Sequence, residues 1–203
     1  MLRSASWLTA IALVATVGTA SAQASGTPAF NAPYRAFANH EFGGTFSLLP
    51  GAAQWAAEGQ YRFGYRQFDI GVRGGLKYFD LGPAGNRTDL ILGTEGRLRI
   101  IEHNENFPLD GAVIIGLGTN DFDTWLIPAT ISLGRRVDLE GFSFIAYGQP
   151  GLFLSSGGVG GTEVNFGLGF GADFKVGESL DLRASFGLFD GPEGLSISLV
   201  WVR

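Results

Sequence analysis

The sequence predicts an all-β chain, folded as a closed antiparallel up-and-down transmembrane β-barrel of about ten strands, with eight or twelve as the neighbouring possibilities. Three observations lead there. From about residue 38 almost to the end, apolar and polar side chains alternate with period two, the signature of strands with two unlike faces. The alternating segments run mostly 10–14 residues; an ordinary strand has about five or six, whereas a tilted strand crossing a bilayer needs about 9–11. The polar face mixes charges with glycines at 64, 71, 75, 93, 116, 118, 134, 167, 169, 171 and 187. Small residues suit the cramped inside of a narrow barrel, and a solvated strand face would carry Lys, Glu and Thr instead.

Taken in order, the chain opens with one charge, Arg3, an apolar stretch from Trp7 to Val17, and the small-x-small site Ala20-Ser21-Ala22. These are the parts of a secretory signal peptide over residues 1–22, and the run is too short to span a bilayer as a helix. Without Arg3 the chain has 13 basic and 19 acidic residues, a net charge of −6, which disfavours nucleic acid as a partner. Export leads to compartments where small domains rely on disulfides, yet there is no Cys, so a closed hydrogen-bonded barrel has to supply the stability. Residues 23–36 (QASGTPAFNAPYRA), with Gly26, Pro28 and Pro33, read as a flexible N-terminal segment. The barrel then occupies 37–203.

Its strands are expected at about 38–48, 54–66, 68–79, 88–101, 107–118, 124–137, 142–154, 162–176, 179–189 and 194–202. Alternation is clearest near the end, where Val164, Phe166, Leu168, Phe170, Ala172 and Phe174 oppose Asn165, Gly167, Gly169, Gly171 and Asp173. An even count puts both barrel termini on one side. The outer connections are then LPGAA (49–53), DLGPAGNR (80–87), TNDFD (119–123), SSGGVGG (155–161) and DGPEG (190–194). The inner ones are Arg66-Gln67, EHNEN (102–106), DLEG (138–141) and VGES (176–179), shorter on the whole.

Period two alone does not say which face is inside, and a soluble periplasmic barrel around an apolar ligand is the alternative. The aromatics argue for the apolar face outward. Trp55, Tyr78 and Trp125 fall near outer strand ends, and Tyr65, Phe142, Phe174 and Trp201 near inner ones, as the two aromatic girdles of a membrane barrel would. Together with the signal peptide and the final run LSISLVWV, these strands resemble small Gram-negative outer-membrane β-barrel proteins of the 8–10-stranded type. The likeness is one of architecture and carries no family motif. It implies the cell outer membrane as location, lipid and lipopolysaccharide as surroundings, and the barrel-assembly machinery as a partner during biogenesis. One departure is that Trp201 is followed by Val202-Arg203, where that class usually ends on an aromatic.

Chemistry is sparse. His40 and His103 are the two histidines, and no serine stands at strand spacing beside either. A lipid A-modifying enzyme built on His40 is therefore the weaker alternative. No metal or cofactor site is expected from two distant histidines and no Cys. DGPEG and TNDFD read as turns, and SSGGVGG lacks the Lys-Ser/Thr and helix of a phosphate loop. The informative polar set is the inward face, with Glu41, Glu58, Arg62, Arg73, Lys77, Glu95, Arg97, Arg99, Asp173 and Arg183 as lumen-lining candidates. Charges in a narrow lumen are costly unless paired, and narrow barrels are mostly filled by side chains. The expectation is a non-enzymatic barrel with a structural, binding or narrow-channel role, its lumen plugged by charged side chains.

Overall fold

The computed structural model describes residues 24–157 and 161–203; the expected signal peptide lies outside the described residues. Ten strands follow one another: β1 (His40–Leu48), β2 (Ala53–Tyr65), β3 (Phe68–Asp80), β4 (Asn86–Ile101), β5 (Asp110–Asn120), β6 (Thr124–Leu139), β7 (Phe142–Gly157), β8 (Thr162–Lys175), β9 (Leu180–Phe189) and β10 (Gly194–Val202). Each pairs antiparallel with its sequence neighbours, and β1 pairs with β10, so the sheet closes on itself. Closure removes the unpaired edge that an open sheet would leave.

One rim, here the near rim, holds the start of β1, the end of β10 and the turns 66–67, 102–109, 140–141 and 176–179; the far rim holds the other connections. The two-residue turns need left-handed backbone, which Gly141 (φ 79°) and Arg66 (φ 54°) provide. The expected asymmetry of loop length is corrected at one point. Residues 102–109 form a long near-rim connection because Asn104 bonds across to Phe107 and β5 does not begin until Asp110.

The alternation of the sequence becomes two faces. Along β3, Ile70, Val72 and Leu76 are exposed outward, while Asp69, Arg73 and Lys77 are buried inward. The same holds across the sheet, where Leu117, Ile131, Leu152, Phe166 and Leu188 stand on an apolar exterior. Cross-strand aromatic pairs lie on that exterior: Phe42 on Trp201 at 6.0 Å, Trp55 on Tyr78 at 5.5 Å, Phe142 on Phe174 at 5.8 Å. Two prolines sit in neighbouring strands at places where the ladder skips. The β5–β6 register has no pair at Pro128, and the β6–β7 register has none between Thr130 and Leu133, opposite Pro150, since proline has no N–H to donate.

The N-terminal segment is enclosed. Residues 24–33 are buried throughout, Ala24, Ser25 and Thr27 completely. It runs inside the barrel, held by contacts with the inward side chains of the wall.

Candidate functional site in the barrel lumen

The lumen wall is built of inward side chains from all ten strands. On β2 to β4 a chain of ion pairs crosses neighbouring strands. Arg62 pairs with both Asp69 and Glu95, Arg97 reaches Asp69 at 2.7 Å, and Arg73 stands 3.6 Å from Glu95. All five side chains are almost wholly enclosed. A second cluster joins β1, β8 and β9, where Arg183 contacts Glu41 at 2.5 Å and Asp173 at 3.1 Å. Lys77 is buried in the field of Asp89 and Glu58, with its ammonium 5.4 Å from the Phe79 ring centre. Arg99, near the near rim and the least enclosed of the ten, pairs with Asp110 at 2.5 Å. Both signs interleave on adjacent strands, so each buried charge has an opposite neighbour, the condition under which burial is tolerable.

The ten lumen candidates therefore share one enclosed wall, in at least two linked clusters. The seven girdle candidates all point outward at strand ends. Trp55, Tyr78 and Trp125 stand at the far rim, and Tyr65, Phe142, Phe174 and Trp201 at the near rim. His40 also faces outward, its Nδ1 2.8 Å from the Tyr61 hydroxyl, and His103 sits 3.1 Å from Asp110. The last residue, Arg203, exchanges backbone hydrogen bonds with His40 (2.8 and 2.9 Å) and so continues the β1–β10 closure past Trp201.

Residues 24–37 descend through this wall from the far rim to the near rim. Their contacts with β4 mark the path: Ala24 packs on Gly93, the Asn31 side-chain Nδ2 donates to Glu95 at 2.7 Å, Arg97 donates to the Ala32 carbonyl at 2.5 Å, and Tyr34 lies under Arg99 at 5.3 Å. Elsewhere the wall grips mainly the main chain. Ser185 and Ser196 donate to the Pro28 carbonyl at 2.7 and 3.0 Å, and the Phe30 amide donates to Ser185 at 3.2 Å. Tyr147 donates to the Phe30 carbonyl at 2.9 Å, Ser132 to the Asn31 carbonyl at 2.8 Å, and the Asn31 amide donates to Gln149 at 3.2 Å. Thr27 donates to Glu58 at 2.6 Å. A backbone buried inside a barrel has no water to satisfy it, so partners from the wall are required.

The inward glycines now have a specific meaning. A Cβ at Gly93 or Gly116 would come within 3.1 Å of Ala24, and one at Gly118 would overlap it. A Cβ at Gly169 would strike the Phe30 ring, and one at Gly64 would strike Arg35. Gly93 pairs with Gly118 across β4–β5, and Gly169 with Gly187 across β8–β9. Both pairs leave room for the segment, and at Gly187 the Pro192 carbonyl also stands where a Cβ would lie. Tyr147, Gln149, Ser132, Ser185 and Ser196, which hold it, were not singled out from sequence, because serines and a tyrosine on a strand carry no mark of what they will meet. Paired inward glycines are the signal that was available. Above the segment, the far rim opens into a depression of about 430 Å³ lined by Lys77, Phe79, Arg87, Asp89, Asn120 and Glu163 among others.

No protein-family model matches the chain, and no curated protein matches it. Among solved structures it is similar to one described as a bacterial polysaccharide outer membrane secretin, at 16% identity and a TM-score of 0.43. The match covers 81% of this chain and 65% of that one, so the chain spans less than two thirds of its neighbour's length. A likeness that distant bears on neither location nor activity.

Proposed function

We propose that this chain is a non-enzymatic barrel of a Gram-negative outer membrane, closed at rest and serving a structural or binding role. The observation that carries this reading is the inversion of polarity. Large apolar side chains such as Val72, Leu117 and Ile131 stand outside while Arg62, Asp69, Glu95 and Arg97 are enclosed. Soluble monomers rarely expose contiguous apolar patches beyond a few hundred Å², whereas lipid requires an apolar exterior on a closed sheet. The aromatics at both rims fit the two interfaces of a bilayer. Lipid and lipopolysaccharide are then its surroundings, and the barrel-assembly machinery its partner in biogenesis.

The occluded lumen favours a closed resting state over a narrow channel, since ion pairs and residues 24–37 fill the same space. The alternative of a lipid A-modifying enzyme gains little support, because among the described residues His40 hydrogen-bonds a tyrosine and His103 an aspartate, with no serine hydroxyl at either ring.

Protein refolded in detergent should show sheet circular dichroism and migrate differently on gels before and after boiling. In planar bilayers the full chain should give no conductance steps. A monodisperse monomer that stays in solution without detergent contradicts the membrane reading, and steady stepwise conductance contradicts the closed state.

A further inference from the structure

The wall's contacts with residues 24–37 have the form of a peptide-binding site. Main-chain atoms of Pro28, Ala29, Phe30, Asn31 and Ala32 are held by side chains of Ser185, Arg73, Tyr147, Gln149, Ser132 and Arg97. Such contacts read the course of a backbone without regard to its side chains. Specificity comes from two pockets. Phe30 lies on the backbone of Gly169 and against Gly187, in a cluster with Ile145 and Tyr147, and Ala24 fits the hollow of Gly93, Gly116 and Gly118.

Most charges of the wall are paired within the wall, although Glu58, Glu95, Arg73 and Arg97 also bond the segment. Arg62, Asp69 and Arg97 satisfy one another, as do Arg183 and Glu41, and Arg35 is the single charged residue from 24 to 37. Withdrawal of the segment therefore leaves these ion pairs in place and costs hydrogen bonds, the one from Thr27 to the buried Glu58 among them. Exchanging it for another peptide costs wall hydrogen bonds that the newcomer restores. A side-chain plug made of the ion pairs themselves could not leave this way.

We infer that the lumen is an exchangeable binding site for a nearly neutral peptide of irregular backbone carrying an aromatic residue two positions after a proline, with residues 24–37 as its resident occupant. Recognition of this kind is read in detergent and holds whatever membrane the barrel occupies.

The test keeps the full chain. A site-specific protease sequence is inserted between Ala38 and Asn39, both exposed, and the folded barrel is cut. A fluorescent synthetic peptide with the sequence of residues 24–38 is then added and its anisotropy followed. The cut barrel should take up the peptide and release it to excess unlabelled peptide, and the uncut barrel should take up none. A peptide with Phe30→Ala should bind at least about tenfold more weakly, as expected for loss of a buried aromatic anchor. The barrel chain is the same in both arms, so weak binding cannot be blamed on misfolding. The inference is overturned if the cut barrel keeps its own fragment and takes up no peptide, or if it loses its heat-modifiable fold on cutting. It is equally overturned if the uncut barrel binds as well, or if the Phe30→Ala peptide binds with equal affinity.

Discussion

Glu95 is where the lumen wall and the inner segment meet: its carboxylate takes Arg62, stands 3.6 Å from Arg73 and accepts from Asn31. Removing one partner of a buried ion pair costs more than the pair is worth, because the remaining charge stays buried alone. Glu95→Ala should therefore lower stability by roughly 3–5 kcal/mol, read as a lower denaturant midpoint in tryptophan fluorescence of the detergent-folded protein. Loss of less than about 1 kcal/mol, the usual worth of an exposed pair, would mean that water reaches the cluster. Gly169 makes a different test. A side chain there meets the Phe30 ring, so Gly169→Val should dislodge the segment while leaving the β8–β9 ladder intact. The expected outcome is faster proteolysis between residues 24 and 38 with an unchanged gel shift, and unchanged cleavage would place the ring elsewhere.

At the scale of elements, residues 24–37 act as an eleventh piece packed inside ten strands. A chain lacking them should fold to the same heat-modifiable barrel and give discrete conductance steps in planar bilayers, where the full chain gives none. A silent truncated barrel would show that the ion pairs alone close the lumen. The strands were legible because period two survives from β1 to β10: Phe68–Asp80 and Gly194–Val202 fall within a residue of where alternation places them. Boundaries slipped where other forces set them. The β5 start moved to Asp110 because that carboxylate anchors both Arg99 and His103, and β7 ran on to Gly157 along Ser155 and Ser156, which carry no apolar mark. The inward charges were legible as one face of each strand, although which pairs with which depends on register. The inner segment was not legible as such. Proline, glycine and small residues describe a loose tail and a strap in a confined lumen equally well, and its partners lie as much as 168 positions away.

For the whole molecule, everything turns on which solvent the apolar exterior meets. The closed sheet leaves no edge to extend, charges of the wall form ion pairs across neighbouring strands, and large aromatics pair at the two rims. Each feature is expected of a protein whose outside is lipid and whose inside is filled. The absence of Cys makes the decisive measurement clean, because single cysteines placed along β3 can carry a nitroxide without background labelling. In lipid bilayers, labels at Ile70, Val72 and Leu76 should collide freely with oxygen and scarcely with a water-soluble nickel complex, and labels at Asp69, Gly71 and Arg73 should be shielded from both. Strong nickel collisions at the three outward sites would place that face in water and contradict the membrane barrel.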